Sequence, residues 1–274
     1  MKQLLAISTS VLLSVVALGA MQRKVEKTPG AGPKSADNPS PVVVELFTSE
    51  GCSSCPPADA LLLKFMETQR PEKTSIVALE EHVDYWDQLG WRDPFSSHEW
   101  TWRQENYAAT LGKGKGNVYT PQMVVDGRVE FVGSREWEAK RVIEEQARRP
   151  KASVSLSPAN SRDGKERFTV QVGKLTDSRA DDTPEVWLAI TETGLHSEVT
   201  RGENAGEDLH HAAVVRMLQK IGVANAKDPE TSFAGEAAVA FNRGWKRDNL
   251  RAVVFVQEKN SRQIVGAAET KVTP

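Results

Sequence analysis

The sequence predicts an α/β unit over residues 41–150 followed by a mainly antiparallel, β-sandwich-like unit over residues 151–274. Three observations predict it. A strand-like run, a helical stretch and a second strand-like run follow one another from Val42 to Val83, and two strands joined through a helix pair in parallel. Asp126-Gly127 then stands between two short apolar runs, the strongest local signal for a hairpin. After Pro150 helical spacing gives way to strand-length runs separated by turn residues, the pattern of an antiparallel sandwich.

Taken in order, residues 1–20 read as an export signal. Lys2 supplies the positive start, Leu4 to Leu18 the apolar run, and Ala17 and Gly19 the small residues before a cleavage point. The run is short for a bilayer span, which needs roughly 20 apolar residues. An uncleaved anchor is the alternative, with Arg23, Lys24 and Lys27 behind it. No cysteine near the junction offers a lipid attachment point. Residues 21–40 are polar and rich in Pro, Gly, Ala, Ser and Lys, the composition of a disordered linker.

Val42 to Phe47 is β-branched and apolar, a buried strand. Leu61, Leu62, Phe65 and Met66 share a helical face within 58–67, and 75–83 reads as a second strand. Ser96-Ser97-His98-Glu99 carries the hydroxyl-then-Glu signature of a helix start, with the helix running to Leu111. Runs 122–125 and 129–132 flank the Asp-Gly turn. Ser134 is expected to cap a helix to Arg148, with Trp137, Val142 and Ile143 as its apolar stripe. Beyond Pro150, strands are expected at 154–156, 168–172, 186–190 and 252–256, while 211–221 fits a helix as well as a strand.

Charge narrows the function. Lys and Arg number 35 against 37 Asp and Glu, a net charge of -2, so nothing draws the chain to nucleic acid or an anionic membrane. No stable membrane insertion is expected once the signal is removed. Only two cysteines are present, Cys52 and Cys55. A stapled scaffold would spread its cysteines along the chain, and a bridge across two residues restrains little unfolded-chain entropy. The pair reads as chemical. Lying between a strand and a helix, Cys52 is the candidate exposed nucleophile, its thiolate favoured by a helix N-terminus. Cys55 is the resolving thiol. Pro56 and Pro57 favour the first helical turn, which moves the helix start toward Cys55.

The segment Val42 to Arg149 resembles the thioredoxin superfamily in its short form. More narrowly, Val44-Glu45-Leu46-Phe47-Thr48-Ser49-Glu50-Gly51-Cys52-Ser53-Ser54-Cys55-Pro56-Pro57-Ala58-Asp59 resembles the DUF1223 family of exported thioredoxin-like proteins. His82-Val83-Asp84-Tyr85-Trp86-Asp87, Gly90-Trp91, Tyr119-Thr120-Pro121-Gln122-Met123-Val124-Val125 and Arg201-Gly202-Glu203-Asn204-Ala205-Gly206 match that family's other blocks. The resemblance implies an α/β thioredoxin-like N-terminal domain, a cis Thr120–Pro121 bond beside the cysteines, and thiol–disulfide exchange carried by Cys52, Cys55, Thr120 and Pro121. It implies protein or small-molecule thiols and disulfides as partners, in the periplasm or outside the cell, and no cofactor.

Further candidates are weighed against plain structural roles. Glu45, in an apolar strand running toward the cysteines, is a candidate proton shuttle, or else a solvent-facing edge residue. His82 and Asp84 end the second strand at the carboxyl edge of a parallel pair, where ligand sites gather; the alternative is a structural hydrogen bond that holds the Tyr85-Trp86-Asp87 loop. Trp86, Trp91, Trp100 and Trp102 are candidates to line a substrate groove, with Trp86 the one taken as substrate-binding; the favoured alternative for the set is cover of a small core. Glu203, Asn204, Glu207, His210 and His211 read as loop structure, since their spacing matches no zinc pattern. Two other functions stay open. The thiolates with His82 suit Cu(I), or the fold is a binding module whose pair stays oxidised.

Overall fold

The computed structural model describes residues 40–68, 75–112 and 116–272. The expected signal segment and all but the last residue of the linker lie outside them. In chain order the described residues form β1 (Val42–Thr48), α1 (Pro56–Glu67), β2 (Ile76–His82), α2 (His98–Leu111), β3 (Gln122–Val125), β4 (Val129–Val132), α3 (Glu136–Ala147), β5 (Val154–Arg162), β6 (Lys165–Gly173), β7 (Pro184–Glu192), β8 (Leu195–Glu198), β9 (Asp208–His211), β10 (Val214–Val223), β11 (Thr231–Val239), β12 (Leu250–Glu258) and β13 (Ile264–Lys271).

The parallel pair is β1 with β2, and the hairpin β3–β4 joins β1 antiparallel. Asp126 and Gly127 both take positive φ, 50° and 61°, as the expected two-residue turn requires. Gly127 has a second reason to be glycine: a Cβ there would lie 1.9 Å from the Arg262 carbonyl oxygen. Ser97 caps α2, accepting from Glu99 N at 3.2 Å. Ser134 does not cap α3; Arg135 holds that position without a side-chain bond. Trp137 is 76 % exposed, and the buried stripe of α3 is Ala139, Val142, Ile143, Gln146 and Ala147. Helical spacing placed the stripe but could not say on which rim the tryptophan falls.

Every strand pair formed within the segment beyond Pro150 is antiparallel, and the ambiguous 211–221 stretch is strand, the end of β9 and most of β10. Its connectivity differs from the expected separate sandwich. One eight-stranded sheet runs β13-β12-β7-β10-β2-β1-β3-β4, and β11-β6-β5 forms a second, smaller sheet. The two sequence segments meet where β10 pairs in parallel with β2 at Val214 and Glu80. Sequence periodicity fixes that a run is a strand, not which edge it joins. Apolar side chains of β5, β6 and β11 pack against β7, β10, β12 and β13 in a core that includes Phe168, Val170, Leu188 and Val254. Among the described residues no helix is long and apolar enough to cross a membrane.

Alternation along β1 and β2 decides what each face receives. Val42, Val44 and Leu46 with Ile76 and Ala78 meet α1 and α3, whereas Val43, Val77 and Leu79 meet Trp100 of α2. Continuing the alternation sends Thr48, Glu80 and His82 to the first face and Glu45 and Glu81 to the second.

Candidate functional site: a covered disulfide and two buried polar networks

Cys52 and Cys55 form a disulfide, with 5.5 Å between Cα atoms. Cys55 is the N-cap of α1, and Pro56 and Pro57 take its first positions. The helix therefore starts at the second cysteine, as the prolines require. Cys52 precedes it in a tight turn, its N–H donating to Ser49 O and its carbonyl accepting from Cys55 N, each at 3.1 Å. Gly51 passes close to Trp86, whose Cβ would lie 3.0 Å from an added Cβ.

Thr120–Pro121 is cis and lies beside this turn. Ser54 Oγ donates to Thr120 O at 3.4 Å and lies 3.3 Å from Cys52 Sγ. Trp86 Nε1 donates to Thr120 Oγ1 at 2.8 Å. The structure thus brings together Cys52, Cys55, Thr120, Pro121 and Trp86.

Cys52 was expected to be exposed, and it is not: both cysteines have zero accessible surface. The serines between them face solvent, and residues from the far segment close over the turn. Glu203 Oε2 accepts from Ser53 N at 3.0 Å and from Ser53 Oγ at 2.7 Å. Those two bonds hold the Glu203 carboxyl below its usual range. Asn204 Nδ2 donates to Glu50 O at 2.8 Å and Cys52 O at 3.1 Å. Residues 199–207 act as a strap. Sequence gave Glu203 and Asn204 as loop-formers; it held no sign that their loop lies on the cysteines, 150 residues away.

Glu45 has a different task from the one expected. Its Oε1 accepts from Arg103 Nε at 2.7 Å and its Oε2 from Tyr107 OH at 2.5 Å. Arg103 also reaches Gln257 Oε1 at 3.1 Å and Glu81 Oε1 at 3.2 Å. Burial pushes Glu81 well above the usual carboxylate range, and neither of its oxygens makes a hydrogen bond. This network lies on the α2 face, and both Glu45 oxygens are taken. Glu45 ties α2 to β1.

On the α1 face a buried acid stands where sequence reasoning did not look. Asp59 follows Cys55 by four residues, so the two share one side of α1. Its Oδ1 accepts from Thr48 Oγ1 at 2.6 Å. Burial, with the charge of Glu80 second, raises its pKa to about 7. The i, i+4 spacing from a cysteine was the available signal.

The same face holds His82, His211, Glu50, Glu80 and Asp93, all buried. His82 Nδ1 meets Asp93 Oδ2 at 2.7 Å, and His211 joins Glu80 Oε1 through Nδ1 at 2.8 Å and Glu50 Oε1 through Nε2 at 3.1 Å. Trp91 Nε1 donates to Glu50 Oε2 at 2.7 Å. Burial disfavours imidazolium, yet Asp93 holds His82 well above its usual pKa, and Glu80 raises His211 to about 9. His82 is bonded to this network and not to either sulfur. Asp84 is bonded to Thr101 at the start of α2, with His98 3.3 Å away. The expected polar cluster also divides: His210 stacks on His196, centroids 5.5 Å apart, while His211 points inward.

No curated protein matches the chain. Among solved structures it is similar to protein AGR_C_4864 from Agrobacterium tumefaciens, at 27 % identity and a TM-score of 0.63, covering 85 % of this chain and 94 % of that one. It is similar in fold to HBP35 of Porphyromonas gingivalis, at 15 % identity and a TM-score of 0.63, covering 86 % and 76 %. The family model described as protein of unknown function, DUF1223, matches residues 43–257. The chain belongs to the DUF1223 family.

Proposed function

We propose that the protein is an exported thiol–disulfide oxidoreductase of thioredoxin-like build, working on protein or small-molecule thiols in the periplasm or outside the cell. The observation that carries this reading is the Cys52–Cys55 disulfide at the start of α1, with Ser54 between the cysteines touching the Thr120 carbonyl. In the exchange a partner thiolate attacks one sulfur of the pair. The Cys52–Cys55 bond breaks, a mixed disulfide forms, and the released cysteine thiolate takes a proton. A second partner thiolate then displaces the remaining cysteine, so the partner's dithiol is oxidised as the pair is reduced. Asp59, raised to about 7, is suited to hold that proton near Cys55. The strap must lift for attack, because neither sulfur is accessible beneath it. The export signal expected over residues 1–20 fits such a role, since disulfides persist in oxidising compartments.

The zero exposure of both sulfurs favours a second reading, a non-catalytic binding module whose disulfide stays closed. One experiment separates the two: the reduction potential of the pair, with a reductase assay on a dithiol–disulfide substrate. An equilibrium potential within the range of known exchange proteins, roughly -120 to -270 mV, and activity lost in Cys52→Ser, support exchange. A potential below about -300 mV with no turnover overturns it and leaves the binding module.

A further inference from the structure

We propose that Glu80, His82 and His211 form a binding site for a divalent transition-metal cation, with zinc as the ion that suits it. One ligand atom from each of the three lies within 4.8 Å of the others, and all three residues are buried. His211 Nδ1 is 2.8 Å and His82 Nε2 3.4 Å from the same atom, Glu80 Oε1. Tetrahedral zinc with bonds of about 2.0–2.1 Å sets its ligand atoms roughly 3.3 Å apart. The two nitrogen–oxygen distances already lie within about half an ångström of that spacing, and the widest pair, within 4.8 Å, closes by up to about 1.5 Å when an ion is held.

His82 Nε2 is fully buried, faces the cluster and makes no hydrogen bond, its nearest partner being Glu80 Oε1 at 3.4 Å. A second feature supports the assignment. The ring nitrogen of each histidine that faces away from the cluster is held by a carboxylate, His82 Nδ1 by Asp93 at 2.7 Å and His211 Nε2 by Glu50 at 3.1 Å. Metal-binding imidazoles are characteristically oriented this way, the outer N–H fixed on a carboxylate so that the inner nitrogen is offered to the ion. Glu80 Oε2 is likewise fixed by Ala212 N at 2.7 Å. Phe95 packs edge-on against both imidazoles, with centroids 5.4 and 5.5 Å away. Two imidazoles and one carboxylate are donors of borderline softness, which suit zinc better than calcium or magnesium. Three protein ligands leave a fourth position open. The two cysteines are not needed, so this site stands apart from the exchange reading.

The test uses the full chain with its disulfide intact, stripped with chelator and titrated at about pH 8 with Zn²⁺ alone and, separately, with Co²⁺ as a spectroscopic reporter, the bound ion displacing the protons that Asp93 and Glu80 favour on the two imidazoles. The expected result is one Zn²⁺ retained per chain. The Co²⁺ form should show the visible d–d bands of a nitrogen–oxygen site with no thiolate charge-transfer band, unchanged in Cys52→Ser/Cys55→Ser. Asp93→Asn, which keeps the ligand set, should weaken binding roughly 10- to 100-fold, and His82→Gln should weaken it further. No stoichiometric binding by the wild type overturns the site. So does a Co²⁺ spectrum that depends on the cysteines, or equal affinity in His82→Gln. The wild-type Co²⁺ spectrum decides the question even if a variant fails to fold.

Discussion

The two faces of the β1–β2 pair carry buried polar networks of opposite character. On the α2 face Glu45 and Glu81 share Arg103, a guanidinium that never loses its charge, and Tyr107 and Gln257 complete the set. On the α1 face Glu50, Glu80 and Asp93 share two imidazoles, groups that give up protons and accept ions. The same two strands thus hold, on opposite faces, one network with a permanent cation and one with exchangeable cations. The first is built to fix α2 to the sheet. The second is built beside the cysteine turn, to which Glu50 belongs.

The largest effect tests the permanent network. Arg103→Met should destabilise the fold by roughly 3–5 kcal/mol, because it strands buried carboxylates without a cation. Chemical denaturation measures this, and a cost under about 1 kcal/mol would make Arg103 a bystander.

The exchangeable face should show itself through pH. Asp59 ionises near 4 when unfolded and near 7 when folded. Its contribution is fully present below about pH 4 and is lost as pH rises toward 7. Asp59→Asn should therefore flatten the fall in stability between those values. Denaturation midpoints of both proteins across that window would show it, and parallel curves would remove the assignment.

A smaller effect concerns the strap. Glu203→Ala should speed reduction of the disulfide by a phosphine a few-fold, the scale of losing one or two solvent-facing hydrogen bonds. In the wild type, the restraint is present above the ordinary carboxylate range and fades as pH falls through the lowered value of Glu203. Reduction should accelerate there in the wild type and stay level in the variant. Smallest of all, Trp137→Ala should change stability by about 0.5 kcal/mol or less, since that ring lies 76 % exposed.

The local structure of the first half was legible because each element carries its own instruction. Pro56-Pro57 starts α1, Ser97 starts α2 and Asp126-Gly127 turns the hairpin. The cysteine turn and its neighbour Thr120–Pro121 were equally readable. What stayed hidden depends on distant pairing. Nothing around Val214 announces that it will meet Glu80, and so nothing announces that His211 will enter the α1-face network. The contacts of Glu45 stayed hidden for the same reason. Its partner Arg103 is 58 positions away, and a carboxylate's role is set by what it faces.

The β2–β10 junction carries one more consequence. A chain ending at Pro150 would leave β2 with an open flank of unpaired backbone groups, an invitation to aggregate. It would also lose residues 199–207 and their bonds to Ser53, Glu50 and Cys52 in the cysteine turn. The half that bears the cysteines and the half that supplies the strap both lie within the family match, residues 43–257.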